Sequence, residues 1–320
     1  MKTIYTLIAA SIIAAPAMAQ LSDEAGFSGE ISINSGFRAS SSNFDTDGDS
    51  TITSNTQSAS SDTNFVVAPL GSIAYTFGQS LNQQVYVGTS REDVATGTVV
   101  LEVGYKYQLE SGTIIDASLL PTVMSGKTWE DPYKTGSART ETDETGNAFR
   151  LKFDKIAGSN FSLDTAYATK DVENDLVTDK ALKRDSKTIY VKGQYRQPLS
   201  RTSFLLPSII YQSSSADGDA NSYDQLGAEL SLFKVMQRHQ LALTAGYSHR
   251  SYDAAATLTN FDKKRSDNNY SLFAAYEYKN FMDWQDWSFI GLAGYGAGQS
   301  NITFYDQSET LVSVGLNYQF

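Results

Sequence analysis

The 320-residue chain contains no cysteine, only two histidines and six prolines. The lack of cysteine excludes disulfides, thiolate metal sites and cysteine nucleophiles together. Histidine occurs only at His239 and His249, which excludes a histidine-rich metal centre. Basic residues are in deficit, 25 Lys and Arg against 36 Asp and Glu, giving a net charge of −11. A nucleic-acid partner would need a basic stripe, so none is expected. Hydrophobic residues make up 41%, below the usual globular share. No apolar run beyond residue 20 approaches the roughly 20 residues of a membrane helix. Tyrosine, by contrast, is plentiful at 19 residues.

Residues 1–20 read MKTIYTLIAASIIAAPAMAQ. Lys2 supplies a positive start, 6–16 an apolar stretch, and Ala17-Met18-Ala19 a small-x-small site. Cleavage between Ala19 and Gln20 is therefore expected. Residues 1–19 read as a signal peptide and 20–320 as one exported domain. No cysteine follows the cleavage point, so the chain is not read as a lipoprotein.

The rest of the chain alternates with period two between turn residues. In 99–109, Val99, Leu101, Val103, Tyr105, Tyr107 and Leu109 oppose Glu102, Gly104, Lys106 and Gln108. In a strand the two sets point to opposite faces. Phe27, Ile31, Ile33 and Phe37 likewise oppose Glu30, Ser32, Asn34 and Arg38. Val312, Val314, Leu316, Tyr318 and Phe320 oppose Ser313, Asn317 and Gln319. Fourteen strands are expected, near 26–40, 63–78, 84–91, 96–109, 112–124, 147–155, 160–170, 186–197, 202–213, 222–234, 239–250, 269–279, 286–297 and 308–320.

Connections after odd-numbered strands are mostly long and polar, and those after even-numbered strands are short. An outer-membrane barrel sorts its loops this way: short periplasmic turns, long external loops and an even strand number. Tyr75, Phe77, Tyr105, Tyr107, Tyr195, Tyr276, Tyr278, Tyr318 and Phe320 recur at one strand end, as an interfacial girdle would. In hydrocarbon an unpaired backbone group costs several kcal/mol, so the sheet must close. The expected fold is all-β: a transmembrane antiparallel up-and-down barrel of about fourteen strands, between twelve and sixteen. Its apolar face points to lipid and its polar face inward.

Leu316, Tyr318 and Phe320, at period two and ending on phenylalanine, resemble the C-terminal signal of Gram-negative outer-membrane barrels. That resemblance implies recognition by the barrel assembly machinery. EAGFSGE at 24–30, APLG at 68–71, VGTSRED at 87–93 and SGKTWEDP at 125–132 resemble a porin-like outer-membrane family of proteobacteria without an assigned substrate. The resemblance spans the mature chain and implies an outer-membrane location.

Catalysis is not expected. His239 falls in a short periplasmic connection, and His249 shares a face with Leu241, Leu243 and Tyr247. No Gly-x-Ser-x-Gly supplies a nucleophile elbow, and no cofactor is indicated. Asp45, Asp47 and Asp49 form a weak candidate for a divalent cation, lacking the distal Glu of an EF-hand. Parity places Glu102, Lys106, Asp116, Arg150, Lys152, Asp164, Lys192 and Glu229 on the lumen wall, where charges set ion preference. Arg150 and Lys152, two apart on one face, are the candidates for a cationic lining. The segment 125–146, with Trp129 and Tyr133, reads as a long loop that folds inward or stands outside.

Eight strands are filled by their own side chains, whereas about fourteen leave water inside. The first strand starts too soon after Gln20 to leave an N-terminal plug. The expected function is a porin-like channel for passive diffusion of small hydrophilic solutes, sugars among them. Trp129, Tyr133, Tyr190 and Tyr223 are candidate sugar platforms. The alternative is a structural or surface-binding barrel with a closed lumen, its acidic loops contacting lipopolysaccharide or divalent ions. Expected partners are outer-membrane lipids and lipopolysaccharide, the assembly machinery and small solutes, with the barrel monomeric.

Overall fold

The computed structural model describes residues 21–22, 24–89, 94, 100–121 and 126–320. The cleavage site at Ala19 and Gln20 lies outside the described residues, as do the expected strand ends at 90–91, 96–99 and 122–124. Sixteen strand segments build fourteen strands, because two segments continue a neighbour along the same partner. The strands are β1 (Gly26–Ser41), β2 (Asp62–Phe77), β3 (Gln83–Thr89), β4 (Leu101–Gln108) and β5 (Ile114–Pro121, continued by Gly126–Trp129). Next come β6 (Glu141–Asp154), β7 (Phe161–Val172), β8 (Ser186–Tyr195, continued by Gln197–Ser200), β9 (Ser203–Ala216) and β10 (Tyr223–Met236). The last four are β11 (His239–Tyr252), β12 (Ser266–Lys279), β13 (Trp287–Ser300) and β14 (Gln307–Gln319). Each pairs antiparallel with its sequence neighbours, and β1 pairs with both β2 and β14. The described strands therefore close into a ring.

The faces are inverted relative to a protein that folds in water. On β1, Phe27, Ile31, Ile33 and Phe37 are exposed while Glu30, Ser32 and Asn34 are buried. On β14, Val312, Val314 and Leu316 are exposed while Ser313 and Asn317 are buried. Leaving each such apolar side chain in water forgoes roughly 1.5–3 kcal/mol, so this outer surface belongs in hydrocarbon. The closed ladder satisfies the backbone without water, the condition for crossing a bilayer. The protein is an outer-membrane β-barrel.

Aromatic pairs mark both interfaces. Near the termini Phe27 meets Tyr75 at 4.8 Å, Phe161 meets Tyr195 at 4.7 Å, and Trp287 meets Tyr318 at 5.1 Å. At the other rim Phe37 meets Phe65 at 5.5 Å and Tyr247 meets Tyr270 at 5.4 Å. The short turns sit at the first rim. Among the described residues, every non-glycine residue in left-handed conformation lies in one of them, including Leu81, Lys155, Gln237 and Asn280. Tight reversal forces a positive φ there.

One boundary departs clearly from the sequence reading. Gly126–Trp129 is strand, paired with Glu141–Glu144 of β6, so the expected loop 125–146 shrinks to 130–140. This hairpin stands above the membrane. Its outer face meets water, so no apolar stripe marked it in the sequence.

Candidate functional site

The inner wall carries two contrasting rows. Along the ladder Lys106 stands opposite Asp116, Asp116 opposite Lys152, Lys152 opposite Asp164, and Asp164 opposite Lys192. Five adjacent strands, β4 to β8, thus present charges of alternating sign. Lys106 Nζ lies 3.6 Å from Asp116, which also accepts from the Tyr86 hydroxyl at 2.7 Å. Lys192 Nζ lies 2.6 Å from Glu229.

Arg150 sits one rung away, opposite Ser118. Its Nε donates to both Asp164 carboxylate oxygens at 3.0 and 3.1 Å, and its Nη2 donates at 2.6 Å. Nη1 lies 3.5 Å from Glu102, which accepts from the Ser118 hydroxyl. The structure therefore corrects the expectation of a cationic lining at Arg150. The guanidinium, its side chain only 11% exposed, is locked between two carboxylates. Close pairing is what makes buried charge tolerable. Lys152 is flanked by Asp116 and Asp164 in the register.

The other half of the wall is apolar near the periplasmic end. Phe204 stands opposite Phe233, and the row continues through Ala242, Ala275 and Leu292 on β11 to β13. Phe204 and Phe233 stack at 4.7 Å, and the Arg196 guanidinium covers Phe204 at 3.9 Å. The sequence signal was present in Phe204-Leu205-Leu206, where alternation fails because both faces are apolar. Space remains inside nonetheless. Ala68, Ser271 and Glu309 share ladder rungs with inward residues and are still exposed.

The outer mouth is roofed. Loops 42–61, 130–140, 173–185, 217–222, 253–265 and 301–306 contribute to one hydrophobic nucleus. At its centre are Tyr133, Leu182, Phe261, Phe304 and Tyr305, with Phe44 packed against them. Loops from around the whole ring can share one nucleus only by crossing the mouth. Two buried arginines lace it. Arg139 donates to the carbonyls of Asn43 and Pro132 at 2.6 and 3.2 Å and lies 4.3 Å over the Trp129 ring. Arg184 donates to the Thr128 hydroxyl and to the carbonyls of Trp129 and Glu130, and pairs with Asp175 at 3.2 Å. Arg265 sits 3.7 Å over Tyr305 and pairs with Asp267 at 2.6 Å, fastening the nucleus to the wall.

These contacts revise two expectations. Trp129 and Tyr133 are buried roof residues, and the Arg250 guanidinium covers Tyr223 at 4.1 Å, so none of the three offers a free platform for a sugar. Asp45, Asp47 and Asp49 do not converge on a cation. Asp45 and Asp47 turn to Arg38 at 3.2 and 3.6 Å, while Asp49 accepts from Ser60. Among the described residues no three His, Asp or Glu side chains gather as a metal site. His239 bonds the Tyr276 hydroxyl at the periplasmic rim, and His249 bonds Asn268 at the outer rim.

A family model described as a protein of unknown function (DUF2860) matches residues 26–319. The chain belongs to the DUF2860 family. The match spans all fourteen strands of this DUF2860 barrel. No curated protein matches its sequence. Solved structures similar to it include Pseudomonas aeruginosa OpdQ, 12% identical, covering 92% of this chain and 98% of that chain at a TM-score of 0.38. An outer membrane channel from Pseudomonas putida F1 is 13% identical, covering 95% and 99% at a TM-score of 0.46. The outer membrane channel DcaP of Acinetobacter baumannii is 10% identical, covering 93% and 97% at a TM-score of 0.44.

Proposed function

We propose that this barrel is a narrow diffusion channel for small hydrophilic solutes. The observation that carries the reading is the unfilled polar lumen: Ala68, Ser271 and Glu309 point inward and remain exposed. A barrel serving only as a scaffold could fill that space with side chains, as smaller barrels do. The paired charges of β4 to β8, most of them buried against one another, leave that side of the wall with little net field, which suits passage without strong ion selection. The reading is of transport, not catalysis, since both histidines sit on the outer surface of the wall. The contact with lipid and lipopolysaccharide is that of any such wall.

The roof favours a second reading, in which the outer mouth is closed and the loops serve as a binding surface. Planar-bilayer recording of the detergent-purified protein separates the two. Stable unitary steps support the channel, and silence under applied voltage supports the closed barrel.

A further inference from the structure

The polar space directly beneath the roof forms a cavity of about 460 Å³, within the range of small-molecule sites. We propose that it binds a neutral polyhydroxylated solute of monosaccharide size; this names the solute class and rests on the channel reading for the route of entry. Position is the first argument. One wall comes from β1 and β12 to β14, while Lys127 enters from the β5 extension on the far side of the ring. The cavity therefore lies at the outer end of the lumen, where a solute entering or leaving the barrel passes.

Charge balance is the second argument. Arg38 and Lys127 line it with Asp45 and Glu309, and Asp47 and Asp143 pair with the same two cations from its margin. Arg38 is held by Glu309 at 3.0 Å and Asp45 at 3.2 Å, and Lys127 pairs with Asp143. An ionic solute gains little from such a site, because each charged group there is already engaged in an ion pair that the solute would have to displace. The remaining polar groups include the hydroxyls of Ser40 and Ser42 and the amides of Asn269 and Gln307, each able to donate and accept. A sugar hydroxyl does the same. Glu309 and Lys127 keep about half of their side-chain surface open, 54% and 52%, so acceptor and donor capacity remains.

The third argument is room made by glycine. Gly296 stands opposite Glu309 and Ser271, so its missing side chain would point into the lumen. A Cβ built there meets nothing closer than the Tyr270 carbonyl at 3.9 Å. At Gly298 the same atom would meet Asn269 Oδ1 at 2.9 Å. Gly296→Val therefore narrows the cavity, and its Cβ is accommodated without backbone movement.

The test is an NMR titration of the full mature protein in detergent with glucose, glucuronate and glucosamine. Wild type should saturate with glucose, at least tenfold more tightly than with either charged sugar. Gly296→Val should weaken glucose at least tenfold while keeping heat-modifiable migration. Should that variant fail to fold, Asn269→Ala, which trims one cavity amide, should weaken glucose at least threefold. Absent glucose binding, equal binding of a charged sugar, or wild-type affinity in the folded variant overturns the proposal. Conductance of the same samples is read separately. A conducting wild type that ignores glucose loses this site and keeps the channel, whereas glucose binding without conductance keeps the site and loses the channel.

Discussion

Tyr133 and Tyr305 meet hydroxyl to hydroxyl at 3.1 Å above the barrel mouth, although their loops leave the wall after β5 and β13. Burial pushes the Tyr133 hydroxyl well up, and pushes Tyr305 up to about 12. Both phenols stay neutral through physiological pH, so the bridge is a plain hydrogen bond inside an apolar nucleus. Phe304, fully buried, packs against both rings at 5.5 Å.

Phe304→Ala should loosen the roof and leave the wall intact. Truncating a buried Phe typically costs about 3–5 kcal/mol. The expected outcome is faster tryptic cleavage at the exposed Lys134 and Lys180, with heat-modifiable migration retained. Unchanged cleavage would mean that the nucleus does not hold the loops.

Arg150 lies between Asp164 and Glu102. Arg150→Gln removes the cation held between the two carboxylates, a change that costs on the order of 3–5 kcal/mol in buried pairs. Reversal potentials in a salt gradient should move toward cation preference, further still in Arg150→Glu/Lys152→Glu. A potential that stays put removes these residues from the conducting wall.

Asp179 ties loop 173–185 to loop 253–265. Burial opposes its charged form. Hydrogen bonds from the Thr257 hydroxyl and from the N–H groups of Thr257, Ala181 and Leu258 outweigh that and hold its pKa below the usual carboxylate range. A depressed pKa contributes stability that is full above the unfolded value and is lost as pH falls through the folded value. Protease protection of the roof should therefore hold from neutral pH down to about 4 and fall below it. Asp179→Asn should lower protection at neutral pH and flatten the acid dependence. An Asp179→Asn profile that matches wild type would refute the assignment.

Phe320 closes the ring by exchanging hydrogen bonds with Gly29 at 2.9 and 3.0 Å. A Cβ at Gly29 would meet the Ser72 carbonyl at 2.5 Å and the Phe320 ring at 2.7 Å. Gly29→Val should reduce the yield of heat-modifiable barrel severalfold. Equal yield would show that the seam tolerates a side chain.

In loop 42–61 Asp45 and Asp47 are taken up by Arg38 and Asp49 turns to Ser60, so millimolar calcium should leave the thermal unfolding temperature unchanged. A calcium-dependent rise, lost in Asp49→Asn, would point to a rearranged loop.

The wall was legible because membrane and lumen impose opposite chemistry on alternate residues. Phe27 to Phe37 and Val312 to Phe320 state their faces by parity, and inward placement of Glu102, Asp116 and Asp164 follows. The roof was not legible. Phe44, Phe261 and Phe304 are single apolar residues in polar loops, where no period links them.

Period-two alternation along residues 26–320 pointed to about fourteen strands and determined the lipid face and the identity of the inward residues, since each strand is read against its own two environments. Tertiary structure alone decided what those residues do to one another. Register set the Lys106–Asp116–Lys152–Asp164–Lys192 row and cancelled Arg150 against its neighbours, and ring closure brought distant loops to one nucleus. Pairing across strands depends on offsets of single residues between distant segments, and a local pattern carries no record of them.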